Sequence, residues 1–126
     1  MEILNFYHLS KKIPENAEYI GRAMPHFGLK QSKFANPFKL GDHEPRGATI
    51  NRYRAWLWEQ IRSGAITLED LLALEGKDLV CFCKQPNKEV ACHGDVVKAA
   101  VIWARKEWDK RHPPFEDNYW NWEENL

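Results

Sequence analysis

The chain has 126 residues, 44% of them hydrophobic, which suffices for one domain with a single modest core. Eighteen basic and eighteen acidic residues cancel, which excludes a strongly basic protein that coats nucleic acid or a membrane surface. No apolar run approaches the roughly 20 residues of a membrane span, and the first residues lack a signal-peptide pattern. Three cysteines, two of them in a Cys-x-Cys pair, favour a reducing compartment, so we expect a cytoplasmic protein.

The N-terminal third predicts two short strands and a long loop. Alternating apolar residues predict a first strand at Ile3–Leu9, and Ala17–Gly21 predicts a second strand that ends in a Gly-Arg turn. The irregular segment 23–46 follows and carries three of the seven prolines. Because loops of this length are unusual in compact domains and are more often functional than idle, we expect this loop to contribute to a site.

The rest of the chain predicts helices around one further strand. Apolar spacing predicts a helix over 49–62, and Thr67-Leu-Glu-Asp70 resembles a capping box that begins a short helix through Leu74. Leu79–Cys83 is a β-prone apolar run, and 94–108 has the spacing of a last long helix.

The order of these elements favours a small α/β single domain, over residues 1–110, whose short sheet is covered by helices. The helical pattern fails near its end, and residues 111–126 mix aromatic and acidic side chains. We interpret this C-terminal tail as a surface clasp, a partner-binding segment that includes Trp120 and Trp122, or a partly disordered end.

All three cysteines lie in or after the last predicted strand. Alternation along a strand puts Cys81 and Cys83 on one face, and a polar loop returns the chain to Cys92 and His93. These four residues are a possible zinc site, because thiolates and imidazole are preferred zinc ligands. The spacing is poor for zinc, since adjacent Cys and His rarely reach one metal, and the cysteines could instead be small buried apolar residues.

A second interpretation of the same region is an anion-binding helix start. Free N–H groups and the helix dipole favour a phosphate or carboxylate there and lower a cysteine pKa. On this hypothesis Cys92, His93 and Asp95 are catalytic, and Gly94 and Cys83 contact the ligand. Asp95 is the candidate general base, although an acid in a first helical turn also complements the dipole without any further role.

The Gly-Arg turn and the long loop after it supply three further ligand-binding candidates. Arg22 directly follows a strand, where a guanidinium could bind a phosphate or carboxylate with two hydrogen bonds or make a surface ion pair. Asn36 precedes a proline and is therefore held extended, so its amide could face a ligand. Arg46, shortly before the first long helix, is a weaker candidate for the same anion.

These motifs resemble a family of small phage and bacterial domains of unknown function, over roughly residues 18–100. The matching segments are Tyr19-Ile20-Gly21-Arg22, Ser32-Lys33-Phe34-Ala35-Asn36-Pro37-Phe38, Tyr53–Leu57, Leu74-x-Gly-Lys77-x-Leu79 with Cys81-Phe82-Cys83, and Cys92-His93-Gly94-Asp95-Val96. The family has two residues between a proline and the Cys-His pair, whereas here five follow Pro86, which argues against a fixed metal geometry.

The sequence therefore predicts a pocket at the carboxyl end of the cysteine-bearing strand. The leading hypothesis is a nucleotide- or nucleic-acid-related hydrolase or transferase that needs no cofactor and takes a phosphate-bearing small molecule or nucleic acid. The alternative is a non-enzymatic protein that binds a host protein and uses the Cys/His cluster as a structural zinc site. Neither hypothesis involves a membrane.

Overall fold

The computed structural model describes residues 1–10, 12–38, 49–81 and 92–112. Three short strands and three α-helices make up the regular structure of these residues. One 3₁₀ turn lies between the first and second strands, and another lies between the second strand and the first α-helix. The strands are β1 (Ile3–Asn5), β2 (Ala17–Tyr19) and β3 (Asp78–Cys81); the α-helices are α1 (Ile50–Ser63), α2 (Leu68–Leu72) and α3 (His93–Arg111); the 3₁₀ turns span Phe6–Leu9 and Pro25–Phe27.

The sheet is parallel throughout, in the order β1-β3-β2. The central strand β3 pairs Val80 with Leu4 on one side and with Tyr19 on the other, and Cys81 pairs with Asn5. Because the strands run in the same direction, their carboxyl ends meet at one edge of the sheet, which we call the carboxyl edge. Ligands of open α/β sheets bind at such an edge.

The two faces of the sheet are covered differently. Leu79 and Cys81, which alternate with Val80, contribute to a core that all three α-helices share. Val80 faces the opposite side and packs with Phe6, in the 3₁₀ turn after β1, and with Ala17, the first residue of β2. The α/β single domain is therefore confirmed, with its α-helices on one face and short irregular segments on the other.

The prediction for the first strand was wrong in length. It ends at Asn5, and Phe6–Leu9 forms a 3₁₀ turn instead. The Asn5 side chain accepts a hydrogen bond from the N–H of Tyr7 at 2.9 Å, so it begins the turn by the local bonding that asparagine favours over a strand. The left-handed backbone of Ser10 (φ 56°) closes the turn.

The helices were predicted more accurately than this strand. Gly64, in the left-handed conformation (φ 88°), ends α1, and both bonds of the capping box join Thr67 and Asp70 at the start of α2. At its other end α2 stops at Leu72, short of the predicted Leu74.

The last helix begins one residue earlier and ends three residues later than its sequence pattern indicates. Its final turn carries an ion pair between Glu107 and Arg111, four residues apart, which favours continued helix. Residues 113–126, including most of the predicted tail, lie outside the described residues. No described helix is long and apolar enough to cross a membrane.

Candidate functional site

The start of α3 rests against the carboxyl edge of the sheet. The Nε2 atom of His93 lies 2.9 Å from the carbonyl oxygen of Ile20, the residue after β2. A carbonyl oxygen only accepts, so Nε2 carries the proton in this contact. His93 is 4% exposed, and its ring meets the ring of Tyr53 edge-on with 5.2 Å between centroids. His93 therefore fixes the helix start to a strand end and lies within the core.

Cys81 and Cys92 bring two sulfur atoms together at the same place. Their Sγ atoms are 3.2 Å apart, both side chains are fully buried, and no disulfide joins them. The Cys92 sulfur also accepts the N–H of Gly94 at 3.3 Å and so caps the N-terminus of α3. Oxygen-bearing side chains usually fill this position, so a thiol cap is an unusual choice that the sequence pattern did not indicate.

Gly94 allows α3 to approach the sheet closely. A Cβ atom at this position would lie 2.9 Å from Cγ2 of Ile3 and 3.3 Å from Cδ1 of Ile20. Any larger residue would therefore push the helix away from Ile3, at the start of β1, and from Ile20, just after β2. The prediction that Gly94 contacts a ligand remains a prediction, whereas its packing role is a finding.

Asp95 is the exposed member of the predicted catalytic group. It lies in the first turn of α3, and its side chain reaches solvent while Cys92 and His93 are buried. An exposed carboxylate can act on a bound ligand, and it also complements the positive end of the helix dipole. Of the three residues that the sequence singled out, Asp95 is thus the one positioned to meet a molecule from solution.

Arg22 is exposed, and the long loop holds its guanidinium. Its Nε atom donates to the carbonyl oxygen of Asn36 and its Nη2 atom to that of Phe38, both at 2.8 Å. A guanidinium has five N–H donors, so these two bonds leave three without a partner among the described residues. Arg22 therefore fastens the loop to the strand end, and its predicted contact with an anion remains a prediction.

The side chain of Asn36 is used within the loop. Its Oδ1 accepts the N–H of Phe38 at 2.9 Å, and its Nδ2 donates to the hydroxyl of Thr49 at 3.1 Å, just before α1. Asn36 thus shapes the Asn-Pro-Phe turn and ties it to α1. The local hydrogen bonding of asparagine explains this role, and its predicted contact with a ligand remains untested.

Two residues important to this edge were not predicted from the sequence. Tyr53 donates its hydroxyl to the carbonyl oxygen of Phe34 at 2.7 Å, and burial, with a smaller effect of the nearby Cys92, raises the pKa of Tyr53. Tyr19 folds over Gly21 so that its hydroxyl reaches the carbonyl oxygen of Arg22 at 2.6 Å. The Tyr-x-Gly-Arg spacing was a signal for the second contact, since only glycine leaves room for the ring.

Of the predicted zinc set, the described part of the chain brings together the sulfur atoms of Cys81 and Cys92, while the His93 ring contacts Ile20 instead. No group of three or more His, Cys, Asp or Glu side chains there could hold a metal ion. Cys83, the remaining member of that set, lies outside the described residues, so the zinc alternative remains a prediction. Arg46, the weaker candidate for binding the anion, also lies outside the described residues.

A cleft of about 460 Å³ lies beside the carboxyl edge, along the outer side of β2. The loop 28–34 forms one wall and α2 the other, and an ion pair between Lys33 and Asp70 (2.9 Å) joins the two walls. Its charged lining residues are Glu18, Lys30, Lys33 and Asp70. Two acids and two bases balance, so the cleft has no net preference for an anion.

Comparisons with known proteins agree with the resemblance that the motifs indicated. Residues 5–103 match the family described as domain of unknown function DUF4326. No curated protein and no solved structure gave a significant match. With its α/β fold and a match over most of its length, the chain belongs to the DUF4326 family.

Proposed function

We propose that the carboxyl edge of the sheet binds an anionic, nucleotide-like ligand and that the protein acts on nucleotides or nucleic acid in the cytoplasm. The observation that carries this proposal is the fixed guanidinium of Arg22. Two backbone carbonyl oxygens orient it, and its remaining donors have no partner among the described residues. A preoriented guanidinium loses little side-chain entropy when it binds a phosphate.

The start of α3 supports the same site. The helix has 19 residues, and its positive end is held against the strand ends by the bond between His93 and Ile20. Ile20 is two residues before Arg22 in the chain. The helix end and the guanidinium therefore border the same edge, and both favour negative charge.

Asp95 is the best candidate for chemistry at this site. It is exposed on the first turn of α3, whereas Cys92 and His93 are buried and hold the helix in position. We propose hydrolysis or group transfer on the bound ligand, with Asp95 as general base for the attacking water or hydroxyl group. Asp95→Asn should then abolish turnover and leave ligand affinity within a few-fold of the wild type.

Calorimetric titration tests the binding site with pyrophosphate, a nucleoside monophosphate and a nucleoside triphosphate as probes. We expect Arg22→Ala to weaken binding by about tenfold or more, since a charge-assisted hydrogen-bonded contact is lost. Arg54→Ala is the matched control, because Arg54 is an exposed arginine on α1. The Arg54→Ala variant should bind the probes with the same affinity as the wild type.

The loop contacts of Arg22 require a second variant. Arg22→Lys keeps the charge without the planar fork, so it should keep part of the affinity while losing part of the loop attachment. Melting temperatures measured alongside separate the two effects. Equal affinity of the wild type and Arg22→Ala for all three probes, or no binding of any of them, would overturn the proposed site.

The buried sulfur pair supports a second candidate, a non-enzymatic binding protein with a structural metal. Two thiolates on one tetrahedral zinc, each at about 2.3 Å from it, lie roughly 3.8 Å apart, and the two Sγ atoms are already 3.2 Å apart. Elemental analysis of protein purified without an affinity tag or added zinc tests this candidate. Close to one zinc per chain would favour it, and no metal would exclude it.

A further inference from the structure

We propose that the two segments leaving the carboxyl ends of β1 and β2 form a stacking surface for single-stranded nucleic acid. This inference rests on the proposed anion site and names its substrate class: a polynucleotide whose phosphate meets Arg22 and whose bases stack on neighbouring rings. We call Tyr7, His26 and Phe27 the aromatic surface. Tyr7 lies in the 3₁₀ turn after β1, and the other two lie in the 3₁₀ turn after β2.

The rings of the aromatic surface are exposed and held from beneath. Tyr7 is 52% exposed and His26 is exposed, while Phe27 lies between them with ring centroids 6.1 Å and 4.1 Å away, respectively. Phe27 in turn packs on the buried ring of Phe6 at 5.2 Å. The outer rings therefore rest on the core, which lowers the entropy cost of stacking a base on them.

Basic side chains adjoin the aromatic surface in the chain, which suits a polyanion better than an apolar protein partner. Residues 19–38 include Arg22, Lys30 and Lys33 and contain no aspartate or glutamate, while Glu18 and Asp70 balance the two lysines in the cleft that these four residues line. Lys33 pairs with Asp70, whereas Lys30 is exposed and makes no ion pair within the described part of the chain. Aromatic rings combined with basic side chains are the features that bind single-stranded nucleic acid without sequence preference.

The geometry points to a single strand because the surface offers ring faces and edges. In a duplex the faces of the bases are covered by their neighbours, so an exposed ring on a protein has no base to stack on. An unpaired strand leaves its bases available. A duplex of the same sequence should therefore bind more weakly than the single strand.

Fluorescence anisotropy with a labelled oligothymidylate of about 12 nucleotides at low salt tests this surface. We expect Tyr7→Ala and His26→Ala each to weaken binding by about fivefold or more, while Tyr7→Phe keeps the ring and the affinity. Ile102→Ala is the matched control, since Ile102 is 54% exposed on α3, away from these turns. Equal affinities for Tyr7→Ala and Ile102→Ala would overturn the inference.

Salt dependence tests the role of charge separately. Lys30→Ala should reduce the slope of log affinity against log salt by about 1, because one phosphate contact is lost. Lys98→Ala, an exposed lysine on α3, should leave the slope unchanged. An unchanged slope for Lys30→Ala would remove this lysine, and with it the charge argument, from the surface.

Thymidine monophosphate as a second probe distinguishes this inference from the proposed function. If the monophosphate binds in an Arg22-dependent way and the oligonucleotide binds no more tightly, the stacking surface is overturned and the anion site stands. If the oligonucleotide depends on Tyr7 but neither probe depends on Arg22, the surface stands and the anion site fails. If neither probe binds, both proposals are overturned.

Discussion

The Sγ atoms of Cys81 and Cys92 lie 3.2 Å apart, so the last residue of the central strand touches the residue that caps α3. The separation is well above the roughly 2.05 Å of a disulfide, and the pair is a contact between thiols in the core. It joins the two elements from which the candidate site is built, because His93 and Gly94 directly follow Cys92.

The thiol cap of α3 gives a first prediction. Cys92→Ser keeps an acceptor for the N–H of Gly94, whereas Cys92→Ala removes it. We expect the alanine variant to be less stable than the serine variant by about 1 kcal/mol, the usual contribution of an N-cap. Urea denaturation of both variants measures the difference, and equal stabilities would show that the sulfur is not an effective cap.

Gly94→Ala should destabilise the fold although alanine is the better helix former. The gain in helix propensity is at most about 1 kcal/mol, while a methyl group 2.9 Å from the stiff side chain of Ile3 costs about 1–3 kcal/mol. The control is the same change in an Ile3→Ala background, where the cost should shrink because the space is open. Identical costs in both backgrounds would contradict close packing as the cause.

Tyr53→Phe should lower the free energy of unfolding by about 1–3 kcal/mol, because the buried carbonyl oxygen of Phe34 loses its donor. Tyr7→Phe, which removes a hydroxyl from an exposed ring, should change stability by less than about 0.5 kcal/mol. Thermal and urea denaturation at neutral pH measure both changes. Similar effects of the two substitutions would argue against this bond as a support of the loop.

The raised pKa of Tyr53 adds a pH dependence to that comparison. A raised folded-state pKa contributes stability that is complete below the ordinary tyrosine pKa of about 10 and is lost as the pH rises above it. The stability difference between the wild type and Tyr53→Phe should therefore narrow above about pH 10. Unfolding curves from neutral to alkaline pH test this, and a constant difference would contradict it.

Asp70→Asn should remove part of the stability at neutral pH. The backbone N–H of Thr67, and then the ammonium of Lys33, lower the pKa of Asp70. The stability from this shift is complete above the ordinary carboxyl pKa of about 3.9 and is lost as the pH falls through the lower folded value.

We accordingly expect Asp70→Asn to cost about 1 kcal/mol at pH 7 and progressively less below about pH 4. Glu69→Gln, at an exposed carboxylate on the same turn, should follow the wild-type profile. Denaturation across the acidic range measures both variants. A wild-type profile for Asp70→Asn would show that the capping box and ion pair add no net stability.

Local chemistry made the helices and the strand positions predictable. The capping box at Thr67, Gly64 after α1 and the apolar spacing of α3 act over a few residues, so they can be read from the chain. The family resemblance rested on motifs of the same short kind. The first strand was predicted too long because Asn5 can serve a strand or a turn, and its local hydrogen bond decided the outcome.

The roles of the site residues could not be read in this way. Arg22 and Asn36 were predicted as ligand contacts from their residue types, but their bonds to the loop and to Thr49 depend on where residues 13 to 16 positions away come to lie. The same holds for Cys92 and His93, whose burial follows from how closely Gly94 lets α3 approach the sheet.

By itself, the sequence determined the α/β class and the family, and it nominated the candidate site residues, because periodicity, caps and motifs are local properties. Only the tertiary structure decided which of the candidate side chains reach solvent. The parallel order β1-β3-β2 brings three distant strand ends to one edge, and packing of α3 against that edge buries Cys92 and His93 while leaving Arg22 and Asp95 exposed. Burial is a property of the assembled core, so no single segment could predict it.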